Sequence, residues 1–144
     1  MQTFAPLPDF DASAVVLDRQ RLGKQRVETM QILRALDSSV PTNGWAKHPA
    51  ILMWRGHAGA LAQYGLAMVK EWVTRGYNDT KCGPVLNDYA TRFPNATLPH
   101  WWGDPEFHRA HRSNLIRKMP EHYQHLWPNE ADDLPYVWPA PCKM

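Results

Sequence analysis

Between Asp18 and Leu36 apolar side chains recur at helical spacing. At about 100° per residue Leu22, Thr29, Leu33 and Leu36 form one stripe, while Gln20, Lys24, Glu28 and Gln31 gather on the side opposite. The segment is read as a long amphipathic helix, preceded by a short helical turn from Asp11. His48-Pro49 opens a second helical stretch, Pro49 to Arg75, with proline at an early position and Gly76 as the closing cap. Within it Gly56, Gly59 and Gly65 fit either close helix packing or a break near Gly56-His57. A short helix is expected over Pro84 to Arg92. Asp104-Pro105-Glu106 has the form of an N-cap, and the helix it starts runs to about Met119, where Pro120 stops it. Met1 to Pro8, with two prolines among apolar residues, disfavours helix and reads as an extended arm lying against the body. Ser38 to Gly44 is a loop punctuated by Pro41 and Asn43-Gly44. Asp133 to Pro139 has no helical period and should wrap over the surface through its aromatics. No strand, repeat or low-complexity segment emerges, so the pattern predicts an all-α fold.

A length of 144 residues suits one domain with a core of its own, over residues 1–144. Thirteen prolines and seven tryptophans imply well-packed irregular connections between a few helices. The net charge of +2 hides a polarity. Glu130, Asp132 and Asp133 place acid near the end, whereas Arg19 to Arg34 and Arg109 to Lys118 are basic, which is a local nucleic-acid signal. No apolar run reaches membrane-spanning length and the N-terminus lacks the regions of a signal peptide. A soluble, cytoplasmic protein is expected, associated with the nucleoid when on DNA. Cys82 and Cys142 have no patterned partners, which argues against a disulfide framework or a cysteine zinc site.

The basic stretch strands one carboxylate. From Arg19 to Arg34 there are five positive side chains (Arg19, Arg21, Lys24, Arg26 and Arg34) and one negative, Glu28. Such a face suits a polyanion whose reactive centre needs one acid: the cations hold phosphates and the carboxylate meets a sugar or base. The plainer alternative is a solvated face on which Lys24 and Glu28 form an i,i+4 pair worth about 0.2–0.5 kcal/mol. His108 and His111 lie three apart on one helix face, as do His122 and His125. A metal site needs three or four ligands and no motif completes one, so no metal is expected. Those imidazoles are read as donors to phosphates or caps of helix carbonyls, in company with Arg109, Arg112, Arg117 and Lys118. There is no Gly-rich phosphate loop, no Gly-x-Ser-x-Gly elbow and no carboxylate cluster for two-metal cleavage, which argues against a nucleotide-dependent enzyme and a metal nuclease. Trp45, Trp54 and Trp72 are read as packing residues, and Trp101-Trp102 beside His100 as either packing or a base-stacking pair.

In their order along the chain these pieces resemble the pyrimidine-dimer DNA glycosylase (phage endonuclease V-like) family. Gln20 and Glu28 match the family's glutamine opening the first long helix and the catalytic glutamate eight residues later, with Leu22 at the shared apolar position. His48-Pro49-Ala50-Ile51-Leu52-Met53-Trp54-Arg55-Gly56-His57 resembles its Pro-containing segment ending in Gly-His. Thr74-Arg75-Gly76-Tyr77-Asn78 resembles the Arg-Gly-aromatic-Asn close of its second helix. Leu98-Pro99-His100 is similar to its Ile-Pro-His, and Arg117-Lys118-Met119-Pro120-Glu121-His122-Tyr123 to its Pro-x-x-Tyr exit.

The resemblance implies a single compact all-α domain of three main helices with an extended N-terminal arm. It also implies a cofactor-free DNA N-glycosylase with attached AP lyase activity that acts on double-stranded DNA as a monomer. In the family the chain's own α-amino group attacks the sugar carbon bearing the damaged base and forms a Schiff base, while the glutamate stabilises the cationic sugar and handles protons. An α-amino group, with a pKa near 7.7 to 8.0, is roughly a tenth neutral at pH 7, whereas a lysine near 10.4 is neutral in about one molecule in several thousand. The expected catalytic set is therefore Glu28 with the amine of Met1, or of Gln2 once Met1 is lost. The expected DNA contacts are Gln20, Arg21, Lys24, Arg26, His57, His100, His111, Arg112, Arg117 and Lys118. Three departures stand out. Gln2 replaces the threonine that allows removal of the first methionine, Val27 replaces the arginine before the glutamate, and the arm is longer, so that it must fold back to reach Glu28. Lys24 is the reserve amine. The substrate that the resemblance implies is a dimerised or otherwise modified pyrimidine. A monofunctional glycosylase activating water with Glu28, a non-catalytic DNA-binding module, and a metal-dependent hydrolase using His108 and His111 are the alternatives.

Overall fold

A computed structural model describes residues 2–39 and 48–139. Met1, Trp45, Cys142 and most of the loop expected from Ser38 to Gly44 lie outside the described residues. Among those residues the chain forms seven helices and no strand: α1 (Phe10–Val16), α2 (Arg19–Leu36), α3 (Pro49–Leu52), α4 (Ala58–Thr74), α5 (Cys82–Arg92), α6 (Pro105–Lys118) and α7 (Pro120–Tyr123). The all-α expectation holds, with α2, α4 and α6 the three longest elements. None of these helices is long and apolar enough to cross a membrane.

The helix boundaries follow from local chemistry. Asp9 caps α1 by accepting from the Ala12 N–H at 2.7 Å, so the helix starts at Phe10, one residue before the expected Asp11. Asp18 caps α2 by accepting from the Arg21 N–H, and Tyr123 of α7 donates its hydroxyl to the same carboxylate. Burial works to raise the Asp18 carboxyl, but the bonds from Tyr123 and Arg21 outweigh it and hold it below its ordinary value. The stretch from Pro49 to Arg75 is two helices, broken where Gly56 takes a left-handed φ of 84°, as the Gly56-His57 signal allowed. Helix α5 starts at Cys82 and not Pro84, because Asp79 accepts from the Gly83 N–H at 2.6 Å and proline is tolerated in a first turn.

Helix α2 packs along α4 and α5, and α4 also against α1. The predicted stripe of α2 turns inward through Leu22, Thr29 and Leu33, joined by Ile32 and by Gln25, all buried. Against this bundle lies the arm, covered so well that Thr3, Phe4, Ala5 and Pro6 are buried. Its peptide groups are held from several sides. Gln25 of α2 accepts from the Phe4 N–H, and Tyr64 of α4 donates to the Phe4 carbonyl at 2.7 Å. Arg112 of α6 donates to the Pro6 carbonyl at 2.8 Å, and Trp54 donates its indole N–H to the Thr3 hydroxyl. The tail closes over this arrangement, with the Leu134 N–H bonded to Ser113 and the Tyr136 hydroxyl to the Thr3 carbonyl.

Candidate active site

One face of α2 and the start of the arm together enclose a recess of about 220 Å³, lined by Gln2, Phe4, Gln20, Arg21, Lys24, Gln25, Glu28 and Lys118. The helical period brings Arg21, Gln25 and Glu28 to it from successive turns, and Lys118 arrives from the last turn of α6. On the other side of Glu28 opens a wider cleft of about 860 Å³, bounded by Arg19, Gln20, Gly23, Lys24, Arg26, Gln31, Trp72 and Tyr77. Glu28 thus stands on the wall between a narrow recess that contains the beginning of the arm and a broad basic-aromatic cleft.

The polar contacts of Glu28 are few. Its Oε2 accepts from Gln25 Nε2 at 3.0 Å, and among the described residues it forms no ion pair. The i,i+4 pairing with Lys24 is therefore absent, and both side chains face the recess. Gln25 Nε2 also donates to the Gln2 carbonyl at 3.0 Å, so one carboxamide is bonded both to the arm and to the acid. Burial and the nearby Glu28 charge push the Tyr136 hydroxyl above its ordinary value, so this phenol is neutral.

Of the residues expected to contact DNA, the recess and cleft bring together Gln20, Arg21, Lys24, Arg26 and Lys118. His57, His100, Arg112 and Arg117 line neither. Arg26 is already engaged: it pairs with Asp79 and lies over the Trp72 ring at 4.3 Å. Arg112 bonds Glu130 at 3.0 Å as well as the arm, and Arg117 donates to the Asp132 carbonyl and to Asn114. His57 contacts the Thr97 carbonyl at 2.9 Å.

His111 corrects the expectation most clearly. It is 0% exposed, packed between Phe107 and Tyr136, and its Nδ1 accepts from the Ala5 N–H at 2.9 Å. Burial drives its pKa down to about 3, so it is neutral and holds the arm where a phosphate contact had been expected. His108, one turn earlier, bonds the Ala5 carbonyl through Nδ1 at 2.7 Å, while its Nε2 accepts from the Gly103 N–H. The donor at Gly103 places the His108 proton on Nδ1. The i,i+3 spacing of the imidazoles is thus matched to the two peptide groups of a single arm residue. Among the described residues no three His, Cys, Asp or Glu gather as metal ligands would.

The Trp101-Trp102 pair is packing. Trp101 is 4% exposed and donates to the Met53 carbonyl, and Trp102 packs edge-on to Phe10 and donates to the Pro8 carbonyl. Several residues of the site escaped sequence reading. Gln25 and Tyr64 reach partners in the arm that no local pattern marks. Trp72 and Tyr77 meet with tilted rings at 4.4 Å, with Arg19 over Tyr77; the sequence marked Trp72 for packing and Arg19 as one of the basic run, but not that they line one cleft.

Chemically, the arrangement offers a carboxylate flanked by cations, beside the first described residue of the chain. Among known proteins, no curated sequence and no solved structure matches this one. A family model described as pyrimidine dimer DNA glycosylase matches residues 1–82, which span the arm, α1 to α4 and the first residue of α5.

Proposed function

Because the chain belongs to the pyrimidine dimer DNA glycosylase family, we propose that it excises the damaged base through a Schiff base and then cleaves the strand as an AP lyase, with Glu28 as the acting carboxylate. The observation that carries this reading is the common recess of Gln2 and Glu28, bridged by Gln25. The amine that precedes Gln2, or that of Gln2 itself, attacks the sugar C1′. The bond from C1′ to the base breaks and the base leaves with the electron pair. Glu28 steadies the cationic sugar and accepts the proton released by the amine. Opening of the ring bond from C1′ to O4′, with a proton delivered to O4′, gives the iminium. Loss of a C2′ proton then expels the 3′ phosphate and breaks the strand. Lys24 and Lys118, which form no ion pair among the described residues, hold phosphates beside the recess.

Glu28→Gln keeps the shape and removes the charge. It is expected to slow cleavage of the C1′–base bond in irradiated duplex DNA by about a hundredfold to ten-thousandfold while leaving DNA affinity intact or raised. Turnover within a few-fold of the parent defeats the assignment. Borohydride should trap a covalent DNA complex, and mass spectrometry of the digest should place it on the peptide holding Met1 or Gln2. An adduct on Lys24, which lines the same recess, keeps the lyase and moves its nucleophile. Cleavage of the C1′–base bond without any adduct favours a glycosylase that activates water.

A further inference from the structure

We propose that Gln25 is a positioning residue whose carboxamide fixes the start of the arm and the Glu28 carboxylate relative to one another. The proposal rests on the reading of Glu28 and the terminal amine given above, and adds to it the group that sets their geometry.

Gln25 is 1% exposed, and a carboxamide sealed from water must find its partners inside the protein. It finds all of them. Nε2 donates one proton to the Gln2 carbonyl and the other to Glu28 Oε2, each at 3.0 Å. Oε1 accepts from the Phe4 N–H at 3.1 Å and faces the Tyr64 hydroxyl, whose single proton is shared with the Phe4 carbonyl. Two donors and two lone pairs are thereby matched to four neighbours, and the orientation is forced. A flipped amide would point N–H groups at the Phe4 N–H and an oxygen at both the carboxylate and the Gln2 carbonyl.

Geometry of this kind does more than fill space. Gln25 lies on α2, which also carries Glu28, so the helix fixes the separation of amide and acid. The bonds to Gln2 and Phe4 then fix the arm to that same amide. A terminal amine built on Gln2 inherits its distance from Glu28 through Gln25. Around the pair stand Arg21 and Lys24 of α2, Lys118 of α6, Tyr64 of α4 and Tyr136 of the tail. None of them changes in the variants below.

The test uses the full chain and duplex DNA carrying an ultraviolet-induced pyrimidine dimer. Single-turnover breakage of the C1′–base bond, scored as alkali-labile strand scission, is followed from pH 5 to 9 alongside borohydride trapping and binding of undamaged duplex. Gln25→Glu sets a second carboxyl against Glu28, and two such groups resist ionising together. The acid limb of the profile is expected to move up by about one pH unit, the rate at pH 7 to fall at least about tenfold, and trapping to fall in parallel. Affinity for undamaged duplex is expected to stay within a few-fold of the parent. Gln25→Asn keeps the amide but is one methylene short, and serves if Gln25→Glu does not fold. It should lose at least about tenfold in rate with the acid limb in place, since the near-attack geometry slackens. Parental rates and limbs in the folded variants overturn the positioning role. If Glu28→Gln stays active in the same assay, the reading of Glu28 falls instead. If Glu28→Gln is inactive and the Gln25 variants are unaffected, only the present inference falls.

Discussion

His111 accepts from the Ala5 N–H, which it can do only while neutral, and burial has already lowered its pKa to about 3. In the unfolded chain the same imidazole titrates near its ordinary 6.5. Between those values the unfolded state binds a proton that the folded state refuses, so stability is lost as pH falls from about 6.5 toward 3. His108, lowered by burial, contributes in the same direction. The urea midpoint is therefore expected to drop between pH 7 and pH 5, with a stability slope of up to about 1.4 kcal/mol per pH unit for each such histidine. His111→Asn should flatten that slope, and an unchanged slope refutes the neutral buried state assigned to His111. At this scale charge alone marked Glu28 as the lone acid of its stretch, and the recess it lines holds Arg21, Lys24 and Lys118. The sequence correctly put the two imidazoles on one helix face. It could not name what faces them, because Ala5 lies over a hundred residues away and no periodicity encodes that pairing. Gln25 was unreadable for the same reason: a polar residue on a buried stripe gives no sign of its partners.

At the scale of elements, boundaries were legible where a cap or a glycine makes them. Asp18, Asp104 and Pro120 fall where the pattern put them, and Gly56 breaks the second stretch. Less legible were the starts of α1 and α5, where Asp9 and Asp79 accept backbone bonds that apolar spacing does not register. Glycine in α4 serves a second purpose. A Cβ on Gly59 would fall inside contact distance of the Asn95 and Phe93 carbonyl oxygens, so the segment after α5 lies against bare backbone. Gly→Ala in an exposed helix interior gains about 1 kcal/mol, but here main-chain atoms must shift, at a cost of about 1–3 kcal/mol or more. Gly59→Ala is expected to lower Tm, and a raised Tm would contradict the close approach.

Across the whole molecule the distribution of cations matters more than the net charge of +2. Arg26, Arg92 and Arg112 are committed to Asp79, Asp37 and Glu130. Arg19, Arg21, Lys24 and Lys118 remain around Glu28, and Arg21 also pairs with Asp18. Four phosphate contacts predict that log affinity falls against log salt with a slope of about −3 to −4. Lys24→Ala and Lys118→Ala should each flatten it by about one unit. Arg112→Ala should leave the slope alone and lower Tm, because it loses Pro6 and Glu130. A slope near zero would end the DNA-facing reading of this surface. The grip of α6 on the arm carries a further consequence, in time instead of space. During synthesis the arm emerges first, whereas His108, His111 and Arg112 follow about a hundred residues later, an interval of roughly 5–20 s at ordinary elongation rates. Until α6 has left the ribosome, nothing from that helix can hold the arm beside Glu28. A nascent chain thus carries Glu28, the arm and the Gln25 amide between them before the α6 half of the clasp, on Ala5 and Pro6, exists.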